Sequence, residues 1–259
     1  MTSKFVKTAA MTAAAVGDSP LFLLDYALRL LRVMVLLALW RTILGTSPRA
    51  EVMSLGAVLT YTLMAEVFND QLAVQTTIVD AFWEGTVVLR FLRPMGLVTQ
   101  FVSEMAGQWV VRFALFSIPL LLLAPLLGVD PRPASPLAAA LFVVSLSLGV
   151  VVGLAIEFLF ATLTVAFEQP VWLVQNARSA VAVLLSGSLL PLAYYPWGIG
   201  DVFSLLPFAS MAWAPLAIFT GVGEPARLIA VQVVWAVALW PIAGRLWQAN
   251  REKVIGYGG

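Results

Sequence analysis

Long apolar runs separated by short polar gaps repeat along almost the whole of this chain. Apolar residues make up 61% of the sequence and charged residues only 11%, whereas a typical soluble domain has about 45–50% apolar and about 25% charged residues. The core of a single soluble domain could not bury so many apolar residues. The sequence therefore predicts an all-α integral membrane protein, folded as a single transmembrane domain over residues 1–259.

Six of the runs are predicted to cross the membrane, because a helix needs about 20 apolar residues to cross about 30 Å of hydrocarbon. They cover residues 21–44, 52–68, 98–127, 137–167, 180–193 and 228–246. A further apolar stretch, 202–219, contains Pro207 and Pro215. Since prolines favour a broken or re-entrant pair over a clean span, residues 194–221 are predicted to form an outer re-entrant hairpin between the fifth and sixth spans.

The segment 69–96 is too polar to span and too apolar for a plain loop. An apolar stripe at helical spacing lies beside its charged positions, formed by Ile78, Phe82, Leu89 and Leu92. One or two short helices at the inner surface are therefore predicted, the last of them stopped by Pro94.

Residues 1–17 carry Lys4 and Lys7 before a run of small residues. This pattern favours a short amphipathic helix at the inner interface. A cleaved signal peptide is the alternative, although the run contains less leucine than such peptides usually do.

The distribution of lysine and arginine predicts the orientation of the chain, since loops on the cytoplasmic side are enriched in both. With the N-terminus inside, eight basic residues fall on the inner side: Lys4, Lys7, Arg90, Arg93, Arg178, Arg245, Arg251 and Lys253. Three fall on the outer side: Arg49, Arg132 and Arg227. Both termini are therefore predicted to be cytoplasmic.

Several function classes are excluded by what the sequence lacks. It has no cysteine and no histidine, so Cys/His zinc sites and Ser-His or Cys-His catalytic pairs are impossible. No carboxylate cluster suggests a metal site. A net charge of +1 gives no basis for nucleic-acid binding, and no GxxxxGK[ST] loop is present. The chain itself is therefore predicted to be neither an enzyme nor an ATP-binding protein.

Two ionisable residues, Arg112 and Glu157, fall inside predicted spans, where such residues are functional candidates by default. They lie on consecutive antiparallel spans at similar distances from the polar turn at Asp130. A buried pair that locks the two helices is favoured over a substrate or proton site, and both interpretations stay open.

Several ordered stretches resemble the permeases of ABC-2 type transporters. They are the segment from Phe82 to Pro94, the sequence Ser186 to Leu192, the sequence Leu205 to Phe208, Gly221, the early sequence Leu39 to Gly45 and the C-terminal Gly-Gly. The resemblance covers nearly the whole chain in order and spacing. Within the family, the chain is similar to the bacterial subgroup of permeases with six spans.

This resemblance implies a division of labour that agrees with the missing phosphate-binding loop. Such a permease binds no cofactor itself, while two cytoplasmic ATPase subunits bind ATP and Mg²⁺. It pairs with a second permease, identical or related, in the bacterial cell membrane. The expected function is export of a lipophilic small molecule or lipid. The alternatives are a stand-alone ion-coupled carrier or a membrane-embedded enzyme or scaffold.

The resemblance also implies two candidate sites. The expected contact with the ATPase is a cytoplasmic coupling helix between spans two and three, with Asp80, Phe82, Trp83, Glu84, Gly85, Arg90, Arg93 and Pro94 as its candidate residues. The expected outer gate comprises Gly187, Pro191, Tyr194, Tyr195 and Trp197. Gly187 and Pro191 are predicted to bend the fifth span, and the three aromatic residues resemble an interfacial belt.

Overall fold

The computed structural model describes residues 2–17, 22–45, 52–167 and 170–256. The chain is 79% helical, and its described part contains no strand. The helices are α1 (Thr2–Gly17), α2 (Phe22–Gly45), α3 (Leu55–Val67), α4 (Asn69–Ala73), α5 (Ile78–Trp83), α6 (Val87–Phe91), α7 (Leu97–Arg112), α8 (Ile118–Leu123), α9 (Pro136–Ala166), α10 (Val171–Leu185), α11 (Ile199–Ser204), α12 (Trp213–Thr220) and α13 (Pro225–Gly256). The predicted all-helical class is confirmed.

Three helical stretches in the described part are long and apolar enough to cross a membrane: Leu97–Leu123, Pro136–Ala166 and Pro225–Asn250. They coincide with the third, fourth and sixth predicted spans. Helix α3 is apolar but has only 13 residues, and α2 contains three arginines and an aspartate. Crossing by the first, second and fifth runs stays a prediction.

Helix α9 is the centre of the bundle, and α4, α5, α10, α12 and α13 all pack against it. Its N-cap is Ser135, whose hydroxyl accepts a hydrogen bond from the backbone N–H of Ala138 at 3.0 Å, a common arrangement at the start of a helix. Gly149 and Gly153 allow close approach, because a side chain would collide with the backbone of Ser210 at Gly149 and with Val74 at Gly153. Two glycines four residues apart often occur by chance in apolar helices, but here both have a packing role.

One end of the bundle is closed by the turn that precedes α9, and we call it the outer end, following the predicted topology. The Thr60 hydroxyl of α3 donates to the carbonyl of Asp130 at 2.7 Å. The N–H of Ala134 donates to the carbonyl of Phe219, near the end of α12, at 2.9 Å. The opposite, inner end carries α5 and α6.

The stretch 194–221 forms two short helices, α11 and α12, rather than one span. Between them the chain turns inward until Ser210 and Met211 lie against Gly149, which is about 20 Å along α9 from its outer end at 1.5 Å per residue. Helix α12 then returns to the outer end, and Trp213–Phe219 are all buried. Entry of this hairpin into a membrane stays a prediction.

The helix that corresponds to the fifth predicted span, α10, differs from the predicted limits of 180–193. Helix α10 begins at Val171 and ends at Leu185. Gly187 follows with a φ of +77°, a conformation that favours glycine and ends a right-handed helix. The prediction that Gly187 and Pro191 bend this helix is therefore wrong, since both residues lie beyond its end.

The N-terminal helix α1 packs along α7, and the backbone of Ala9 lies against Gly107. Lys4 and Lys7 are exposed. The sequence did not predict this helix–helix contact, and the interfacial location of α1 stays a prediction.

Candidate functional site

Two short helices, α5 and α6, pack against the inner end of the bundle through a small apolar cluster. Its buried members are Ile78, Val79, Ala81, Val87, Phe101, Phe158, Ala161, Val165 and Ala243. These residues come from α5 and α6 and from the inner halves of α7, α9 and α13. The two short helices therefore share one apolar cluster with three of the long ones.

A turn at Gly85 separates α5 from α6. Its φ of +69° lies in the left-handed region, which side chains other than glycine rarely adopt. Because the chain changes direction here, the apolar stripe predicted through Ile78, Phe82, Leu89 and Leu92 does not form. Ile78 is buried, whereas Leu89 is 64% exposed and Leu92 is 82% exposed.

The second short helix is held to α7 by polar contacts. Arg90 pairs with Glu104 at 2.7 Å, and its guanidinium lies 4.2 Å from the centre of the Phe101 ring. The buried amide of Gln100 donates to the carbonyls of Arg90 and Met95, both at 2.9 Å. Arg90, a candidate residue for the ATPase contact, thus has an ionic partner within the chain, and its role in that contact stays a prediction.

Four other candidates are exposed, and so are two leucines near them in the sequence. We call these six residues the inner-end surface: Asp80, Glu84, Leu89, Leu92, Arg93 and Pro94. Arg93 stays mostly exposed although it lies 3.7 Å from Glu104. The side chains of Phe82 and Trp83, two predicted partner contacts, lie outside the described residues. The sequence missed Leu89 and Leu92 as surface residues, because the predicted apolar stripe placed them on the same face as Ile78.

A buried polar link connects α5 to α9 and α10. The backbone N–H and the hydroxyl of Thr76 donate to Oε1 of Glu157 at 3.0 and 3.2 Å. The other carboxylate oxygen of Glu157 pairs with Arg178 of α10 at 2.8 Å. Arg178 also donates to the carbonyls of Ala73 and Val74, at 3.2 and 2.7 Å. The chain leading into α5 is therefore fixed by one buried ion pair.

A second group of charges joins α2, α3, α4 and α7. Asp70 accepts from Arg112 at 2.9 Å and from both terminal nitrogens of Arg29 at 3.4 Å. Arg32 pairs with Glu66 at 2.9 Å. Each of these charges therefore has a partner of opposite sign, as charges away from water require.

The predicted pair between Arg112 and Glu157 is absent, since each residue has another partner. The predicted pair rested on the number of residues that separate each side chain from the turn at Asp130. That count contains no information about Asp70 and Arg178, the partners that other helices supply. Arg112 is followed by a π-helical turn, Phe113–Ser117, whose Ser117 hydroxyl donates to the carbonyl of Val67 at 2.6 Å. Helix α7 is thus joined to the end of α3, next to Asp70.

The prediction that all of 69–96 lies at the inner surface is also wrong for residues 69–76. Val74 is fully buried and packs against Gly153, just past the middle of α9. Arg178 was counted among the cations of the inner loops, but it is buried in α10. Without it, seven inner basic residues stand against three outer ones, so the predicted orientation is unchanged.

The predicted gate residues near the outer end are held by different contacts. The Tyr194 hydroxyl donates to the carbonyl of Met53 at 3.3 Å, and the Tyr195 hydroxyl donates to that of Leu184 at 2.8 Å. Tyr61 donates to the carbonyl of Gly187 at 2.7 Å, and Pro191 is buried. Trp197 stands apart at 91% exposed.

No group of three or more acidic side chains suited to a metal ion occurs within the described part of the chain. The inner-end surface and the buried ion pairs therefore remain the candidate functional features.

The apolar helices and the buried charges together define a helical membrane protein. The sequence model of the family described as "ABC-2 family transporter protein" matches residues 23–255. The chain therefore belongs to the ABC-2 transporter family, as its sequence resemblance implied. No curated protein and no solved structure matches it.

Proposed function

We propose that this chain is the membrane-spanning subunit of an ATP-driven exporter in the bacterial cell membrane. Two cytoplasmic ATPase subunits bind ATP and Mg²⁺ and dock on it, and a second permease completes the pathway. The observation that carries this proposal is the inner-end surface, where exposed leucines lie beside charged residues on two short helices. An apolar anchor with a charged rim is typical of a protein contact.

The proposed topology has six crossings, with both termini in the cytoplasm. The three long apolar stretches provide the third, fourth and sixth crossings, and α2, α3 and α10 provide the others. Helix α3 is short for a span, but α4 follows it almost directly, and the charges near their junction are paired. Paired charges lower the cost of placing ionisable groups among membrane helices.

The proposed mechanism passes motion through the buried link. ATP-driven movement of the ATPase subunits would shift α5 and α6, which share an apolar cluster with α7, α9 and α13. Thr76, Glu157 and Arg178 extend the same connection to α10. Because α10 ends beside α12, where the N–H of Trp213 donates to the carbonyl of Ser186 at 2.8 Å, the movement would reach the outer hairpin.

The structure favours this function over the alternative of a stand-alone proton-coupled carrier. Such a carrier needs an ionisable group that is free to gain and lose a proton. Glu157 instead pairs with Arg178 at 2.8 Å, and Arg112 pairs with Asp70 at 2.9 Å. These contacts support structural roles for both residues.

A photo-crosslinking amino acid at position 92 tests the proposed docking contact in native membranes. We expect it to capture an ATP-binding subunit, because Leu92 is 82% exposed on the inner-end surface. Position 126 is the matched control, since Leu126 is 83% exposed near the outer end. Capture of the same subunit from both positions, or from neither, would contradict the proposal.

A further inference from the structure

A cavity of about 130 Å³ lies between α2, α4, α10 and the inward tip of the hairpin. Its polar lining residues are Arg32, Asn69, Gln75, Arg178, Ser179, Ser186 and Ser188. Several waters or one small polar group fit such a volume. The cavity shares no residue with the inner-end surface, so the proposed ATPase contact does not explain it.

The lining offers hydrogen-bond donors and no carboxylate among the described residues. Two arginines, two side-chain amides and two hydroxyls face a space whose remaining lining is apolar apart from Ser179. An arginine guanidinium only donates hydrogen bonds and matches carboxylate and phosphate groups. Each arginine already pairs with a carboxylate outside the lining, Arg178 with Glu157 and Arg32 with Glu66, and the donors that these pairs leave free favour an anionic occupant.

One buried donor in this lining lacks an acceptor. Arg178 is 5% exposed, and its Nε has no hydrogen-bond partner in the structure. Buried polar atoms are nearly always paired, so an exception points to a missing water or ligand. The buried acceptor atoms that also lack a partner belong to Glu66, Gln71, Gln100 and Ser210, none of which lines the cavity.

The rim of the cavity is accessible and apolar on either side. The side chain of Arg32 is 47% exposed and has Glu66 as its ionic partner. Exposed apolar residues flank the rim, with Leu28 and Val35 on α2 and Val183 and Leu184 on α10. A molecule with an anionic head and a hydrocarbon tail would pair with Arg32 and lie along these apolar faces.

We propose that this cavity binds the carboxylate or phosphate head group of an amphipathic molecule. The inference rests on the proposed function, since it narrows the expected lipophilic substrate to anionic amphiphiles. Binding is measured on the purified full-length chain. If the chain fails to bind the amphiphile, the proposed ATPase contact is unaffected. If the ATPase contact is not found, the binding result still stands.

The test is native mass spectrometry of the chain in neutral detergent with three probes: dodecyl phosphate, dodecanol and inorganic phosphate. We expect adducts with dodecyl phosphate only. Binding should weaken about tenfold or more in Arg32→Gln, because hydrogen bonds to charged groups are among the strongest. Arg32→Lys should restore part of it, and Arg245→Gln, which changes an exposed arginine of α13, should bind normally.

A second variant covers the case in which Arg32→Gln fails to fold because Glu66 loses its partner. Ala182→Leu places a larger apolar side chain in the cavity lining and leaves every ion pair intact. It should also remove the dodecyl phosphate adduct. Equal binding of dodecanol, binding of inorganic phosphate alone, or unchanged binding in the folded variants would overturn the proposal.

Discussion

At the residue scale, the arrangement of charges decides what this chain can do. Removing one partner of a buried ion pair leaves an uncompensated charge, which costs far more than an exposed pair contributes. Glu157 and Arg178 are both almost fully buried. Their pair fixes three stretches of chain at once, since Thr76 and the carbonyls of Ala73 and Val74 also bind to it.

We expect Glu157→Gln to destabilise the protein by about 3–5 kcal/mol, because Arg178 then keeps a buried charge without a counter-ion. The midpoint of thermal unfolding in detergent should fall accordingly. Asp130→Asn is the matched control, since its side chain is 69% exposed and lies 3.9 Å from Arg132, and it should leave the midpoint unchanged. Equal midpoints for both variants would show that the buried pair is unimportant.

The sequence identified Arg112 and Glu157 as ionisable residues within apolar runs, but it did not identify their partners. Both true partners, Asp70 and Arg178, fell in segments that were assigned to polar gaps. Periodicity and residue counting describe each helix separately. Which side chains meet depends on how irregular segments such as 69–76 pack, and no local pattern encodes that.

At the element scale, close packing on α9 positions the outer hairpin. The buried amide of Gln232 on α13 donates to the carbonyls of Ser145 and Ser210, at 2.9 and 2.7 Å. Ser145 in turn donates to Gln232 at 2.8 Å. Together with Gly149 these contacts join the hairpin tip to α9 and α13.

Gly149→Ala should destabilise this packing, because its added carbon would lie 2.8 Å from the carbonyl oxygen of Ser210. Backbone atoms yield little, so we expect a cost of about 1–3 kcal/mol, measured by thermal unfolding. Gly244→Ala on α13 is the control, since nothing lies within 4 Å of its added carbon. A Gly149→Ala protein as stable as this control would contradict the proposed packing.

The elements that the sequence predicted best are the long apolar ones, α9 and α13, and the continuous stretch from α7 to α8. Their composition alone identifies them as membrane helices. The limits of α10 were predicted poorly, since Gln175, Asn176 and Arg178 make its first half polar. The turn at Gly85 also escaped prediction, although a glycine between two apolar runs was the available signal.

At the scale of the whole molecule, the proposed topology has six crossings, and it places the inner-end surface on the cytoplasmic side. The sequence contains no cysteine, so single cysteines can be introduced into an otherwise unreactive chain. Asp130→Cys should react with a membrane-impermeant maleimide in intact cells. Glu84→Cys, on an exposed residue of the inner-end surface, should react only after permeabilisation. Labelling of both, or of Glu84→Cys alone, in intact cells would refute the orientation.

The central claim is that this chain works with a separate ATPase. Recovery of the tagged chain from native membranes in mild detergent, with mass spectrometry of every bound protein, tests it most directly. We expect an ATP-binding subunit of an ABC transporter to be recovered together with a second permease, identical or related. Repeated recovery of the chain without any ATPase, under conditions that keep a known ABC complex intact, would contradict it.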